Sequence, residues 1–239
     1  MATAVRKTNW FAIWVSVAVV VVIAIIAGLV IWMNASATAG NAPTSSSTAK
    51  PEAANIDTST GAISFGTGTD KLDTYIDFMC PICNQFETTF GESISSSVAD
   101  DTITLNVHPI AILDSRSQGT AYSSRAASAM YAVAIADPEK AYAFMQAMYK
   151  NQPEEGSTGL TNNQIISIAQ NAGVNVTDDL KSAIADNKYL NYVQTMTPKT
   201  PIAPGSTGIG TPTVVANGKT LTASAVFATD PSQIMSWFG

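Results

Sequence analysis

Apolar and polar positions fall into three successive patterns along this chain. From Trp10 to Met33 only Ser16 is polar and nothing is charged. At about 1.5 Å per helical residue this run makes a helix of about 36 Å, against a hydrocarbon core of about 30 Å, so it is expected to span a membrane. Trp10, Trp14 and Trp32 sit near its ends, Arg6 and Lys7 precede it, and no charge follows until Lys50. That asymmetry keeps residues 1–9 in the cytoplasm and sends the rest of the chain outside. Ala35-Ser36-Ala37 offers small residues to a peptidase, but a cleaved signal has an apolar region of only about 7–15 residues, so 10–33 is read as a retained anchor. The second pattern, 34–55, is mostly Ala, Ser, Thr, Asn, Gly and Pro. Such a composition buries no core and is expected to be a flexible linker.

The third pattern, 56–239, is that of a folded domain. Ala62–Phe65 and Leu72–Phe78 read as strands parted by a Gly66-Thr-Gly68 turn, a helix is expected from Cys80 towards Val98, and Thr102–Pro109 alternates as another strand. Strand, helix, strand implies a parallel pair joined by a crossover, with Cys80 at the carboxyl end of a sheet strand. From Ser117 to Pro198 the spacing turns helical. Helices are expected over Ser117–Ala136, over Pro138–Lys150 behind the Asp137-Pro138 start, from the Thr161-Asn-Asn-Gln164 box to Gly173, from Thr177 towards Asn187, and over Tyr189–Met196. Strands return at Thr213–Ala216 and Lys219–Thr222 around Asn217-Gly218, the strongest short hairpin signal, and Asp230-Pro231 opens a last helix through Trp237.

With 239 residues, 46% hydrophobic and 13% charged, the chain has enough apolar material for one good core. Beyond the anchor it holds 18 acidic against 10 basic residues, which makes nucleic acid an unsuitable partner.

The only cysteines are in Cys80-Pro81-Ile82-Cys83. A disulfide closing so short a loop constrains the unfolded chain little, so in a compartment that permits disulfides its value is chemical. Cys80 is placed to cap the helix, with Pro81 at the first helical position, where a missing N–H costs nothing. Free N–H groups and the helix dipole then favour a Cys80 thiolate, and Cys83, one turn deeper, is placed to resolve. Two other readings remain beside the redox pair. One is an inert structural pair. The other is half of a zinc site, which needs about four ligands and finds only one histidine, His108. His108 lies near the end of an expected strand and reads as a satisfied edge residue.

Four segments carry a resemblance: Tyr75-Ile-Asp-Phe-Met-Cys-Pro-Ile-Cys83; Gly119–Ala136 with Tyr122 and Arg125-Ala-Ala127; Asn151-Gln-Pro-Glu-Glu-Gly156; and Gly210-Thr-Pro-Thr-Val-Val-Ala-Asn-Gly218. In this order they resemble the thioredoxin fold and, more closely, the DsbA-like thiol-disulfide oxidoreductases, in particular the membrane-anchored members of Gram-positive and actinobacterial type. The likeness covers nearly all of Leu72–Gly239. It implies an α/β thioredoxin fold with a helical subdomain inserted at about 117–198, preceded by one transmembrane helix. It further implies an exposed attacking Cys80, a buried Cys83, and a cis Pro212 beside the disulfide, with the Thr211 backbone open to an extended substrate. No cofactor or metal is implied.

Asp77 occupies a position that is often acidic in this family; it either relays protons near Cys83 or ends the strand in solvent. Many relatives carry an acid where this chain has Thr74. Strongly oxidising relatives often have histidine before the second cysteine, where this chain has Ile82, so a weaker oxidant is expected. The function implied is exchange of the Cys80–Cys83 disulfide with cysteines of exported proteins outside the cytoplasm, with a membrane redox partner to reset it. The alternatives are a reductase or isomerase on the same scaffold, or a peptide-binding module in which the cysteines matter little.

Overall fold

The structure, a computed structural model, describes residues 47–239. The expected cytoplasmic segment, the anchor at 10–33 and the linker as far as residue 46 lie outside the described residues. Among the described residues no helix is long and apolar enough to cross a membrane.

Among the described residues six strands form one sheet: β1 (Ile56–Asp57), β2 (Ala62–Phe65), β3 (Asp70–Ile76), β4 (Ile103–Pro109), β5 (Thr213–Ala216) and β6 (Lys219–Thr220), in the spatial order β1-β2-β4-β3-β5-β6. Only β3 and β4 run parallel, and the 19-residue helix α1 (Pro81–Ala99) joins them. The period-two alternation of strand side chains divides the sheet into two unlike faces. Ile63, Leu72, Thr74, Ile76, Leu105, Val107, Val214 and Ala216 share one face, and all are buried. The other face is a polar ladder. There Ser64 Oγ donates to Asn106 Oδ1 at 2.8 Å, Lys71 Nζ donates to Thr104 Oγ1 at 2.8 Å, and His108 Nε2 lies 2.9 Å from Asp73 Oδ1.

Helix α1 buries Cys83, Phe86, Phe90 and Ile94, spaced three to four residues apart. Phe90 meets Trp237 edge-on at 5.2 Å, which ties α1 to the C-terminal 3-10 segment Pro231–Trp237.

The inserted block contains α2 (Tyr122–Ala136), α3 (Pro138–Lys150), α4 (Asn162–Asn171), α5 (Asp178–Ala185) and α6 (Leu190–Met196). Helix α2 is buried on every side from Tyr122 to Ala134, its small Ala and Ser side chains letting the other helices pack close. Local chemistry sets the boundaries. Thr161 and Gln164 form a reciprocal capping box, Thr177 caps α5 through Leu180 N, and Asn217 and Gly218 both take the positive φ that a two-residue hairpin requires.

Several boundaries differ from expectation. Strand β3 stops at Ile76 rather than Phe78, because the Asp77 carboxylate accepts the Met79 N–H at 2.9 Å and closes a turn. Helix α2 starts at Tyr122 rather than Ser117, because Gln118, Gly119 and Ala121 all have positive φ. Strand β6 ends at Thr220, since Thr222 instead caps an unforeseen helix α7 (Ala223–Phe227). The final segment is 3-10 and is kinked at Gln233. Residues 47–55, assigned to the flexible linker, lie against the domain: Pro51 is buried, Ala49 and Ala53 pack on the core, and Asn191 Nδ2 donates to Ser47 O at 3.0 Å. Their small apolar side chains are enough to cover a surface although they cannot build a core.

Candidate active site

Three pieces of chain converge at the carboxyl end of β3: the turn Asp77–Cys80, the first turn of α1, and the Thr211-Pro212 segment entering β5. Cys80 is the N-cap of α1, with extended φ/ψ of −76° and 117°, and Pro81 follows at the first helical position. Cys80 retains 5% of its surface and Cys83 none. The attacking thiol is therefore much less open than expected, because its Sγ donates to Thr211 O at 3.4 Å and lies under that segment. Both cysteines are free thiols in this structure.

The two sulfurs have opposite electrostatics. Cys80 is held below the ordinary thiol range, first by a hydrogen bond from Cys83 and then by the backbone N–H groups of Cys83 and Ile82, against burial and the charge of Asp77. Burial, followed by the neighbouring Cys80, pushes Cys83 well above that range. Thr211 Oγ1 donates to Tyr75 O at 3.1 Å and lies 2.9 Å from Cys83 Sγ. When Cys83 ionises, the same hydroxyl can turn to donate to its sulfur, which opposes part of that upward push. The Thr211–Pro212 peptide is cis.

Asp77 is fully buried and does not end the strand in solvent. Its Oδ1 accepts from Met79 N at 2.9 Å and Ser123 Oγ at 2.6 Å, and its Oδ2 accepts from Leu113 N at 2.9 Å. Burial outweighs these bonds and, with help from Asp114, raises the carboxyl to about 6. Ile82 is 46% exposed and presents an apolar side chain next to the sulfurs. Thr74, in place of an acid, is buried with an unpartnered Oγ1. His108 is engaged elsewhere, by Asp73, by Thr60 O at 3.3 Å and by the stacked ring of Tyr75.

Sequence reasoning assigned no role to the groups that hold the active-site turn from the helical block. Tyr149 Oη donates to Asp77 O at 3.4 Å, and Gln152 Nε2 donates to Phe78 O at 3.1 Å and to Cys80 O at 2.9 Å. The Asn151–Gly156 segment stands out in the sequence, but a contact spanning some 70 residues leaves no periodic trace.

Comparison with known proteins gives the same outline. A family model described as Thioredoxin matches residues 67–231. DsbA from Mycobacterium tuberculosis in its reduced form superposes with a TM-score of 0.60 at 27% identity, covering 74% of this chain and 98% of that one. Reduced DsbG from the same organism, a disulfide bond oxidoreductase, gives 0.58 at 28% identity, with 78% and 86% covered. Among curated proteins, the serine/threonine-protein kinase PknE of M. tuberculosis is 31% identical over 110 residues, 44% of this chain. The chain spans only 19% of the length of that relative.

Proposed function

The chain belongs to the thioredoxin family and is a DsbA-like thiol-disulfide oxidoreductase, and from that premise we propose that it introduces disulfides into exported proteins from a position tethered outside the membrane. In its oxidised form the Cys80–Cys83 disulfide is attacked at Cys80 Sγ by a substrate thiolate. The S–S bond breaks, Cys83 leaves with the electron pair and is protonated, and a mixed disulfide forms. A second substrate thiolate then attacks the substrate sulfur, which closes the substrate disulfide and releases Cys80 as a thiolate. Two electrons have passed to the enzyme, and a membrane redox partner removes them. The uncharged run 10–33 supports an anchor with the N-terminus in the cytoplasm.

The observation that carries this reading is the asymmetry of the dithiol: Cys80 slightly exposed and acidified at a helix N-cap, Cys83 sealed and held protonated. In the reduced protein, Cys80 should react with an alkylating agent at mildly acidic pH well before Cys83, and a Cys83→Ser variant, whose Cys80 thiolate attacks a substrate disulfide but has no second thiol to resolve the product, should accumulate mixed disulfides with disulfide-containing secreted proteins. Equal labelling of the two cysteines, or a Cys83→Ser protein that traps nothing, would remove the basis of the proposal.

The same scaffold running in reverse is a reductase or isomerase. Ile82 favours giving that reading weight, because no imidazolium stands beside Cys80 to stabilise the reduced form. Equilibration with glutathione decides the direction: a potential close to that of cytosolic reductants would make the enzyme a disulfide reductant.

A further inference from the structure

The Cys80–Pro81 peptide bond has no N–H, so its only polar handle is the Cys80 carbonyl. That carbonyl accepts the first helical bond, from Asn84 N at 3.2 Å, and is held as well from outside α1. Gln152 Nε2 places one proton on Cys80 O at 2.9 Å and the other on Phe78 O at 3.1 Å, while Asn84 Nδ2 donates to Gln152 Oε1 at 3.2 Å. Two carbonyl acceptors on one side and an amide donor on the other fix the orientation of the Gln152 amide. Asn84 Nδ2 also donates to Tyr149 O at 3.2 Å, so the amide pair joins the first turn of α1 to the end of α3. Every donor and acceptor of the Gln152 side chain is engaged at the redox turn, although the residue lies 72 positions away in sequence.

Resting on the oxidoreductase reading above, we infer that Gln152 is a positioning residue for the Cys80 thiolate. By pinning the Cys80 carbonyl it fixes the peptide plane at the helix start, so that the Ile82 and Cys83 N–H groups converge on Cys80 Sγ. Those two N–H groups, together with the Cys83 thiol, keep Cys80 acidic. The other titratable groups facing this sulfur are Asp77 in the turn and Tyr149 on α3, and an ionised Asp77 opposes the thiolate. An amide suits the position better than an acid. A carboxylate has no proton for either carbonyl and adds a second negative charge beside the one Asp77 already contributes.

The inserted helical block is thereby part of the redox machinery. Besides Gln152, it supplies Tyr149 to the backbone and Ser123 to the carboxylate of the same turn.

The test uses the full-length reduced protein in four forms: wild type, Gln152→Met, which keeps the length of the side chain without its hydrogen bonds, Gln152→Glu, which cannot donate and adds charge, and Asn84→Ala. For each, the pH profile of Cys80 alkylation and the ultraviolet absorbance of the thiolate are recorded, with thermal unfolding in parallel. Gln152→Met should slow alkylation at mildly acidic pH roughly three- to tenfold, the scale of one or two net hydrogen bonds, and Gln152→Glu should slow it further. Asn84→Ala, which leaves Gln152 in place but takes away its partner and the bond to Tyr149 O, should shift the profile in the same direction by less. Superimposable thiol profiles in all four proteins would overturn the positioning role, even if Gln152→Met melts at a lower temperature. A wild-type protein whose Cys80 shows no preference at mildly acidic pH would instead sink the oxidoreductase reading on which the inference rests.

Discussion

Replacing Glu87 by Gln should make the protein more stable at neutral and alkaline pH and leave it nearly unchanged in acid. Glu87 stands on α1 one turn beyond Cys83, beside a cavity of about 110 Å³ lined by Asn84, Thr88, Gln146, Tyr149 and Lys150. Its Oε2 is sealed from solvent and has no hydrogen-bond partner, and burial alone pushes the carboxyl from 4.5 to about 8. In the folded protein the group is therefore protonated at pH 7, whereas in the unfolded chain it ionises above 4.5. The native state binds the extra proton between those two values. The stabilisation this gives is complete below the unfolded value and is lost as pH rises through the folded one. A carboxyl moved from 4.5 to about 8 corresponds to at most about 5 kcal/mol across the window, of which about 2.5 kcal/mol falls between pH 5 and pH 7. This is a ceiling, because the residue as a whole keeps some exposure. Gln has the same shape and no proton to lose, so the stability difference between variant and wild type isolates this one group. Urea unfolding at a series of pH values measures it. Parallel stability profiles for the two proteins from pH 5 to pH 9 would show that Glu87 ionises normally and refute the reasoning.

Thr211→Val removes the hydroxyl that favours the Cys83 thiolate and the donor to Tyr75 O; loss of about 1 kcal/mol should slow attack by Cys83 on a mixed disulfide roughly fivefold in stopped-flow, and an unchanged rate would contradict the assigned contact. Asp77→Asn removes a charge that opposes the Cys80 thiolate and ionises near 6. It should therefore speed Cys80 alkylation above about pH 6 and have no effect below, while leaving the Leu113 N–H facing an amide at a stability cost of about 1–3 kcal/mol; alkylation equally fast in both proteins above that pH would disprove the electrostatic role. Ile82→His places an imidazole at an exposed site beside Cys80. One charge-assisted contact of about 1.5–3 kcal/mol should raise the reduction potential by about 30–65 mV in glutathione equilibration, and a potential that stays level or falls would assign redox poise to the helix terminus alone.

What the chain reveals before folding is mostly local chemistry. Cys80 with Pro81, Asp137 with Pro138, Thr161 with Gln164, and Asn217 with Gly218 each mark a boundary within four residues, and the structure places a helix start or a turn at every one. The two-residue strand β1 left no readable alternation, and α7 is one turn and a half held by a single Thr222 cap. The active site divides in the same way. The dithiol is visible in four letters, whereas the burial of Asp77 depends on Ser123 and Leu113, and the engagement of Cys80 O depends on Gln152. Partners 36 to 72 residues away are brought in by the loop after β4 and by the helical block, and no window of sequence contains both ends.

Among the described residues the sheet finishes on each side with a strand of only two residues, Ile56–Asp57 and Lys219–Thr220. An open edge is a template that will pair with any extended polypeptide lying alongside it. A protein that works, as proposed, on chains still partly unfolded would meet such segments constantly. Were its borders long and flat, clients would stick to them by backbone pairing far from the sulfurs, and copies of the enzyme would stick to one another. Strands this short leave room for hardly one pair of hydrogen bonds, too few to hold a visitor. Extended clients of the proposed kind would find no resting place at the margins of the fold, and their capture would be left to the site beside the sulfurs.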